Sequence, residues 1–532
     1  MSHTNLLTSG GGHRIRFGIR WDGGPRPHAR LFVLLGIALA AAGASAARAE
    51  AQTSSAAKPA PLVIVAAEPG RQDAARRLVG RLGGTVRHPL AILEGFSARV
   101  PAGSVRRLRR SPAVRVVTLD APLRVSSTDP GTQTALASTD VVRQATSLGA
   151  LDASTALGSG VGVALIDTGV MRVGGLAEAG RVVYGPDLSS ESGNSNLRTL
   201  DTFGHGTHMA GVIAGRDALT GFAGVAPGAR VISLKVADAY GKTTLERVLR
   251  AFDWIGLHKG DPGVGIRVVN LSLGAYDSAG YTKDALAVAA EKLWFQGITV
   301  VAAAGNTGAQ QPLLDMPAAD PYVIAVGATD TRGTADPADD RVAEFSSRSA
   351  TRPPDVVAPG TGIVSLRVPG STLDLEYPSA RVGDGFFRGS GTSQATAVVS
   401  GIAARLLAQR PSLAPDQVKA LLVKGAVNLP DDRSADGAGR VDAARAAATA
   451  TPLASVVRQT WTRAGTQTTS GGLLGGLVTT VVGVVGSLVG TVGLGWVDPG
   501  TGQVVDGTTE WTGRRWSGRR WSGSSWTDAP GG

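Results

Sequence analysis

Cysteine is absent from the 532 residues, which excludes a thiolate nucleophile, structural disulfides and Cys-ligated zinc. That absence leaves the compartment open, because many exported bacterial-type proteins fold without disulfides. Aromatic side chains are scarce at 5%, whereas glycine is plentiful at 73 residues, a balance that suits a sheet-and-loop enzyme better than a helical array. A basic excess is missing where it would matter. The formal net charge of +11 invites a nucleic-acid or membrane partner, but residues 61–125 carry +8 and residues 1–49 carry +5, while 126–450 carry −4. The basic excess lies outside the central region, so no nucleic-acid partner is expected. A hydrophobic fraction of 43% allows a sizeable core, and the length predicts two or three domains.

The N-terminus lacks an apolar run long enough to cross a bilayer. Arg14, Arg16, Arg20, Arg26 and Arg30 lead into Leu31–Ala42, well short of the ~20 residues of a span. Small residues follow at 43–49, so residues 1–49 read as an export signal cleaved after Ala46 or Ala49. An uncleaved anchor is the alternative.

After a polar spacer, residues 61–125 read as a small α+β domain. Leu62–Ala66 is apolar and β-branched, Ala74–Leu82 has helical spacing and stops at Gly83-Gly84, and Phe96, Ala98 and Val100 alternate as a strand does. Ser104–Arg110 is a second helix ended by Pro112, and Val114, Val116 and Thr118 mark a further strand. A linker rich in Ser, Thr and Gly covers roughly 126–138.

From about 140 to 450, short continuous apolar runs alternate with helical stretches. Val161–Ile166, Val231–Val236, Val268–Leu273, Thr299–Ala304 and Val323–Val326 predict strands buried on both faces, and Leu245–Gly256 and Asp284–Gly297 predict crossover helices. The expected fold is a three-layer α/β domain with a mostly parallel central sheet.

Active residues of such sheets gather at the carboxyl ends of strands. Asp167 ends one apolar run, His205 and His208 lie in Gly-His-Gly-Thr-His, and Ser393 lies in Gly391-Thr-Ser-Gln-Ala395. Singly, each has a bland reading: a capping carboxylate, a pair of metal ligands without a third, a small residue packed before a helix. Together they form a set with one chemistry. A serine hydroxyl needs a base to take its proton, an imidazole suits that task, and a carboxylate fixes the imidazole's tautomer. The chain order Asp, His, Ser is one of three unrelated orders that build this geometry.

With Val163-Ala-Leu-Ile-Asp-Thr-Gly-Val170, Gly204-His-Gly-Thr-His-Met-Ala-Gly211, Val269-Asn-Leu-Ser-Leu-Gly274, Ala302-Ala-Ala-Gly-Asn306 and Gly391-Thr-Ser-Gln-Ala395, the chain resembles a subtilisin-like serine peptidase over about 160–445. The resemblance implies a secreted endopeptidase made as a zymogen. It assigns Ser393 as nucleophile, His205 as general base and then acid, and Asp167 as the group orienting His205. His208 matches a structural histidine. Asn306 matches the oxyanion-hole donor, and Ser272, Leu273 and Gly274 match the substrate-pairing segment. The family commonly has Met, Ser and Pro where Gln394, Thr396 and Ala397 stand here.

The 61–125 block resembles an inhibitory propeptide, cleaved somewhere in 121–135, with an independent binding domain as the alternative. No cofactor is expected for the chemistry; a structural calcium accords with the resemblance, yet no acid cluster marks its ligands. Residues 451–532 hold an uncharged Gly-rich stretch and a repeat of Trp with Arg (Trp511, Trp516, Trp521, Trp526), read either as a cell-wall or membrane contact or as a solvated tail. Protein or peptide substrates, and the chain's own propeptide as inhibitor, are the expected partners. A catalytically silent surface binding protein and a narrow processing protease are the rival functions.

Overall fold

The structure, a computed structural model, describes residues 59–125, 138–152, 157–275, 280–334, 336, 338–453 and the backbone of 495–497 and 504–506. The export signal, nearly all of the 126–138 linker, most of the Gly-rich stretch and the Trp/Arg repeat lie outside the described residues. The chain from Ala60 onward forms one structural unit.

Residues 62–119 fold as β1 (Leu62–Ala67), α1 (Gln72–Arg81), β2 (Thr85–Leu90), β3 (Gly95–Arg99), α2 (Val105–Arg109) and β4 (Val114–Leu119). The strands make an antiparallel sheet in the order β2–β3–β1–β4. Side chains of a strand alternate between faces, and here both faces are used. Val63 and Val65 close a small core with Ala75, Val79 and Phe96. Ile64, Ala66 and Val116 turn the other way and join Leu90, Ile92 and Leu93 in the core of the larger domain. The edge strand β2 was not expected from the sequence. His88-Pro89 breaks its apolar pattern, and its register shifts between Val86 and Pro89, a tolerance confined to sheet edges and bulges.

The larger domain is built on a parallel sheet. Its strands are β6 (Gly162–Asp167), β7 (Val182–Asp187), β8 (Arg230–Lys235), β10 (Ile266–Leu271), β12 (Thr299–Ala303), β13 (Ile324–Asp330) and β14 (Val356–Pro359). They lie in the order β7–β8–β6–β10–β12–β13–β14, and Arg341–Val342 adds an antiparallel pair on β13. Every residue of β6 and β12 is buried, as continuous apolar runs require. Chain order reverses at β6, which opens a crevice at the carboxyl ends of β6 and β10.

Helices α3 (His205–Ala214) and α6 (Thr392–Gln409) pack on each other, and α6 also packs on β10, β12 and β13. Residues Thr392 to Leu407 of α6 are all buried, so this helix is core on every side. Helices α4 (Leu245–His258) and α5 (Ala285–Phe295) pack together and receive the 91–93 turn of the N-terminal block. Among the described residues no helix is long and apolar enough to cross a membrane.

The apolar run 268–273 splits where a single strand was expected. β10 ends at Leu271, Ser272 leaves the sheet, and β11 (Leu273–Gly274) pairs antiparallel with β5 (Pro122–Val125). On its other side β5 pairs antiparallel with β9 (Lys242–Thr244). A segment from the N-terminal side of the chain thus lies as the middle strand between two segments of the larger domain.

Candidate active site

Asp167 is the last residue of β6 and is fully buried. Its Oδ1 accepts hydrogen bonds from the Thr168 N–H at 2.8 Å and lies 2.9 Å from His205 Nδ1, with Oδ2 at 3.0 Å from the same nitrogen. A carboxylate against Nδ1 holds the proton there and leaves Nε2 as the basic nitrogen. His205 Nε2 is buried and has no hydrogen-bond partner among the described residues.

The approach of helix to strand depends on glycine. A Cβ on Gly206 would come 2.1 Å from the Gly169 carbonyl oxygen and 3.2 Å from Asp167 Cβ. Gly204, the N-cap of α3, sits at φ 107°, where side chains are strained. Residue 206 must therefore be glycine for His205 to reach Asp167.

Sequence reasoning did not single out Asp201, four residues before His205. Its buried Oδ1 accepts from Gly204 N–H and lies 2.7 Å from Thr168 Oγ1, while Oδ2 accepts from Thr207 N–H and Oγ1, both at 2.7 Å. Thr168 Oγ1 in turn accepts the Gly206 N–H at 2.9 Å. This cluster satisfies orphan N–H groups of the first turn of α3 and ties that turn to the residue after Asp167. An acidic residue just ahead of a helix start is a readable capping signal. Burial raises the Asp201 carboxyl, while the Thr207, Gly204 and Thr168 donors pull it down.

Ser393 is the second residue of α6 and is fully buried. Its Oγ donates to the Ser272 carbonyl at 3.2 Å, so the bond to His205 Nε2 is not made in this state. Catalytic hydrogen bonds often tighten only once substrate is bound. Ser272 Oγ reaches the Ser393 carbonyl at 3.3 Å and accepts from Asn270 Nδ2 at 2.9 Å, and Ser400 Oγ donates to Asn270 Oδ1 at 2.9 Å. This buried polar run fixes the register of α6 against β10.

Asn306 lies three residues beyond β12, and its Oδ1 accepts from the Thr392 N–H at 2.8 Å and Thr392 Oγ1 at 2.9 Å. With the oxygen held by two donors, the amide orientation is set and Nδ2 is the end turned away from Thr392.

His208 takes no part in this cluster. Its Nε2 faces the carbonyls of Ile363 and Phe387 at 3.2 and 3.1 Å, and burial pushes its pKa down to about 3, which keeps it neutral. Among the described residues no group of three or more His, Asp or Glu is placed to hold a metal ion. Gln394 is fully buried, and neither its Oε1 nor its Nε2 has a partner among the described residues. A Cβ on Gly389 would lie 2.6 Å from Gln394 Nε2 and 3.3 Å from His208 Nε2, so the amide is wedged beside that histidine.

Residues 158–443 match the subtilase family, Peptidase S8. Serine protease AprX of Bacillus subtilis (strain 168) is 40% identical over 300 residues, covering 54% of this chain and 66% of AprX. Subtilisin DY of Bacillus licheniformis is 35% identical over 277 residues, covering 52% of this chain and 86% of that protein. The chain spans just under two thirds of AprX. In fold it is similar to fervidolysin of Fervidobacterium pennivorans, with a TM-score of 0.56 at 24% identity over 74% of this chain and 61% of that one. The chain belongs to the subtilase family of serine peptidases.

Proposed function

We propose that this protein is an exported serine endopeptidase made as a zymogen, with Ser393, His205 and Asp167 as its catalytic triad. The observation that carries the reading is the buried Asp167–His205 pair with Nε2 of the imidazole left unpartnered at the crevice. A side-chain rotation of Ser393 away from the Ser272 carbonyl offers its Oγ to that nitrogen. Oγ then attacks the substrate carbonyl as Nε2 takes its proton, and the resulting imidazolium is held by the Asp167 carboxylate. Asn306 Nδ2 and the Ser393 N–H donate to the oxyanion that forms. His205 passes its proton to the departing amine, leaving an acyl-serine. Water, deprotonated by the same imidazole, completes hydrolysis.

Substrate is read chiefly through its main chain. The segment Ser272–Gly274 offers an antiparallel lane for an extended peptide, which favours recognition by strand addition. In the zymogen this lane holds β5, pairing Val125 with Leu273 and Arg124 with Gly274. The rest of the 61–125 block grips α4. Glu246 Oε1 lies 2.6 Å from His88 Nδ1 and 2.5 Å from Ser97 Oγ, and the Ile92 N–H donates to Asp253 at 2.6 Å. These contacts support an inhibitory propeptide rather than an independent binding module. Export rests on the signal-like residues 1–49, and the Trp/Arg tail would hold the enzyme at the cell surface.

A fluorophosphonate probe tests the enzyme reading against a silent binding protein. Labelling of the processed wild type, abolished in Ser393→Ala, is expected. An unlabelled wild type, or equal labelling of the variant, overturns it. The zymogen reading is tested on the same pair by mass: Ser393→Ala should keep residues 61–125 covalently attached, and a processed variant would sink self-maturation.

A further inference from the structure

Among the buried carboxyls that the mechanism leaves unused, Asp315 stands apart. It is 5% exposed, and no hydrogen bond or ion pair reaches its carboxylate from the described residues. Several other buried acids are ion-paired: Asp355 with Arg352 and Lys419, Asp340 with Arg440, and Asp374 with Arg367 and Arg381. Asp320, whose Oδ2 is unpartnered among the described residues, still accepts the Tyr322 N–H at 2.8 Å and is drawn down by Arg352 and Lys419. A buried charge without a partner is costly. Burial alone pushes this carboxyl up to about 7, with no cation pulling it back.

Its position gives that isolation a use. β10 and β12 are parallel neighbours, and the chain beyond each leaves the sheet on opposite walls of one crevice: Ser272–Ala275 on one side, Ala304–Asn306 on the other. Asp315 bridges the two walls. Its N–H donates to the Ala304 carbonyl at 3.0 Å, while the next residue, Met316, exchanges hydrogen bonds with Ala275 at 3.2 and 2.7 Å. The carboxylate lies against Gly305, where a Cβ would come 2.4 Å from Asp315 Oδ2. Gly305 adjoins the oxyanion donor Asn306, and its own N–H donates to Thr392 Oγ1 at 3.3 Å, one residue before the nucleophile. The β5 register puts Val125 opposite Leu273, so the next position of a peptide in that lane falls opposite Ser272, whose carbonyl receives Ser393 Oγ.

We infer that Asp315 forms the floor of the pocket that receives the side chain on the acyl side of the scissile bond, and that it selects lysine or arginine there. This rests on the peptidase reading above. A cationic side chain brings the one group the buried carboxylate lacks, and charge-assisted pairing in a water-poor pocket discriminates strongly against an apolar side chain that leaves the carboxylate unpaired. The block's own release is intramolecular and runs at the high effective concentration of a tethered strand, so it places little demand on this pocket.

The test uses the mature enzyme and tetrapeptide anilides that differ only in the final residue: Lys, Arg, Phe or Leu. For the wild type, kcat/KM for Lys and Arg should exceed that for Phe by about 100-fold. In Asp315→Asn that ratio should fall by a similar factor, and benzamidine, an arginine mimic, should inhibit only the wild type competitively. A wild type that labels with fluorophosphonate yet prefers Phe or Leu overturns the pocket assignment alone. So does a ratio unchanged by Asp315→Asn. A wild type that neither labels nor hydrolyses any of the four overturns the peptidase reading, and the pocket falls with it.

Discussion

Asn306 Oδ1 accepts both the main-chain N–H and the Oγ1 hydroxyl of Thr392, the residue immediately before Ser393. The proposed oxyanion donor and nucleophile are thereby fixed to each other rather than to separate loops. Replacing Asn306 with Ala should lower kcat by about 10²–10³ with little change in KM, a magnitude taken from such a donor in a subtilisin rather than from this geometry. Steady-state kinetics on a peptide anilide checks it; a KM-dominated loss would contradict an oxyanion role.

Asp201 should matter for both stability and turnover. Asp201→Ala leaves the Gly204 and Thr207 N–H groups and the Thr207 hydroxyl without their acceptor, at roughly 1–3 kcal/mol for each group that water does not reach, while the Thr168 hydroxyl still has Asp167 Oδ1 at 3.2 Å. Asp201→Asn keeps an acceptor for some of them and should lose less. Thermal unfolding of both variants in the Ser393→Ala background, where self-digestion is absent, gives the ordering. Equal Tm values for Ala, Asn and the parent would contradict it.

Gln394 is the counter-case, since its buried amide has no partner among the described residues. Gln394→Met is close in shape and removes the unsatisfied polar atoms, so stability should rise by about 1–3 kcal/mol. The same change introduces an oxidisable thioether next to Ser393. Brief peroxide treatment should slow the variant and leave the wild type unaffected.

The Asp315 carboxyl makes the expected specificity depend on pH. Its pKa in the folded protein is raised to about 7 by burial, and among the described residues no titratable group approaches it from the 304–306 wall, the 272–275 wall or Ser347. Below that value the floor is neutral, so the Lys-to-Phe ratio of kcat/KM should climb as pH rises through about 7. Taking the ratio cancels the common titration of the base. The stability sign is the reverse: a folded pKa above the unfolded 3.8 favours the fold fully below 3.8, and this is lost as pH rises to about 7. Asp315→Asn should therefore gain on the wild type across that window, by on the order of 4 kcal/mol at its upper end. A flat difference in denaturation midpoint between pH 4 and 8 would contradict it.

Glu246 joins the N-terminal block to α4 through His88 and Ser97, while its own N–H donates to Asp120 at 2.8 Å. Glu246→Ala removes the shared acceptor, so active enzyme should appear several-fold sooner after synthesis. A time course of processing on gels, with activity read in parallel, measures this; an unchanged lag would place the grip elsewhere.

The parallel sheet was legible because continuous Val- and Ile-rich runs have few other stable uses, and β6, β8 and β12 lie within a residue or two of their expected limits. Short motifs brought Asp167, His205, Ser393 and Asn306 forward as candidates, and glycines flank them at positions where a Cβ would collide or φ is positive. What escaped depends on distant partners. β2 is an edge strand carrying proline, and β5 is four residues long and exists only between Lys242–Thr244 and Leu273–Gly274. Asp201 and Asp315 look like ordinary loop acids in the sequence. One is distinguished by the four donors around it, the other by having none among the described residues, and neither fact has a local signature.

The alternation in β1, with Val63 and Val65 on one face and Ile64 and Ala66 on the other, bears on the direction of activation. Attached, the block spends its second apolar face on the core of the larger domain. Cut free, a unit of this size buries only about 60% of its chain surface even with both faces covered, and here one face would meet water. On the proposed zymogen reading, such a fragment would unfold readily and become a substrate for the enzyme it left. The block would act as a single-use restraint, destroyed by its own removal, so that each molecule is switched on once and cannot be switched off by recapture.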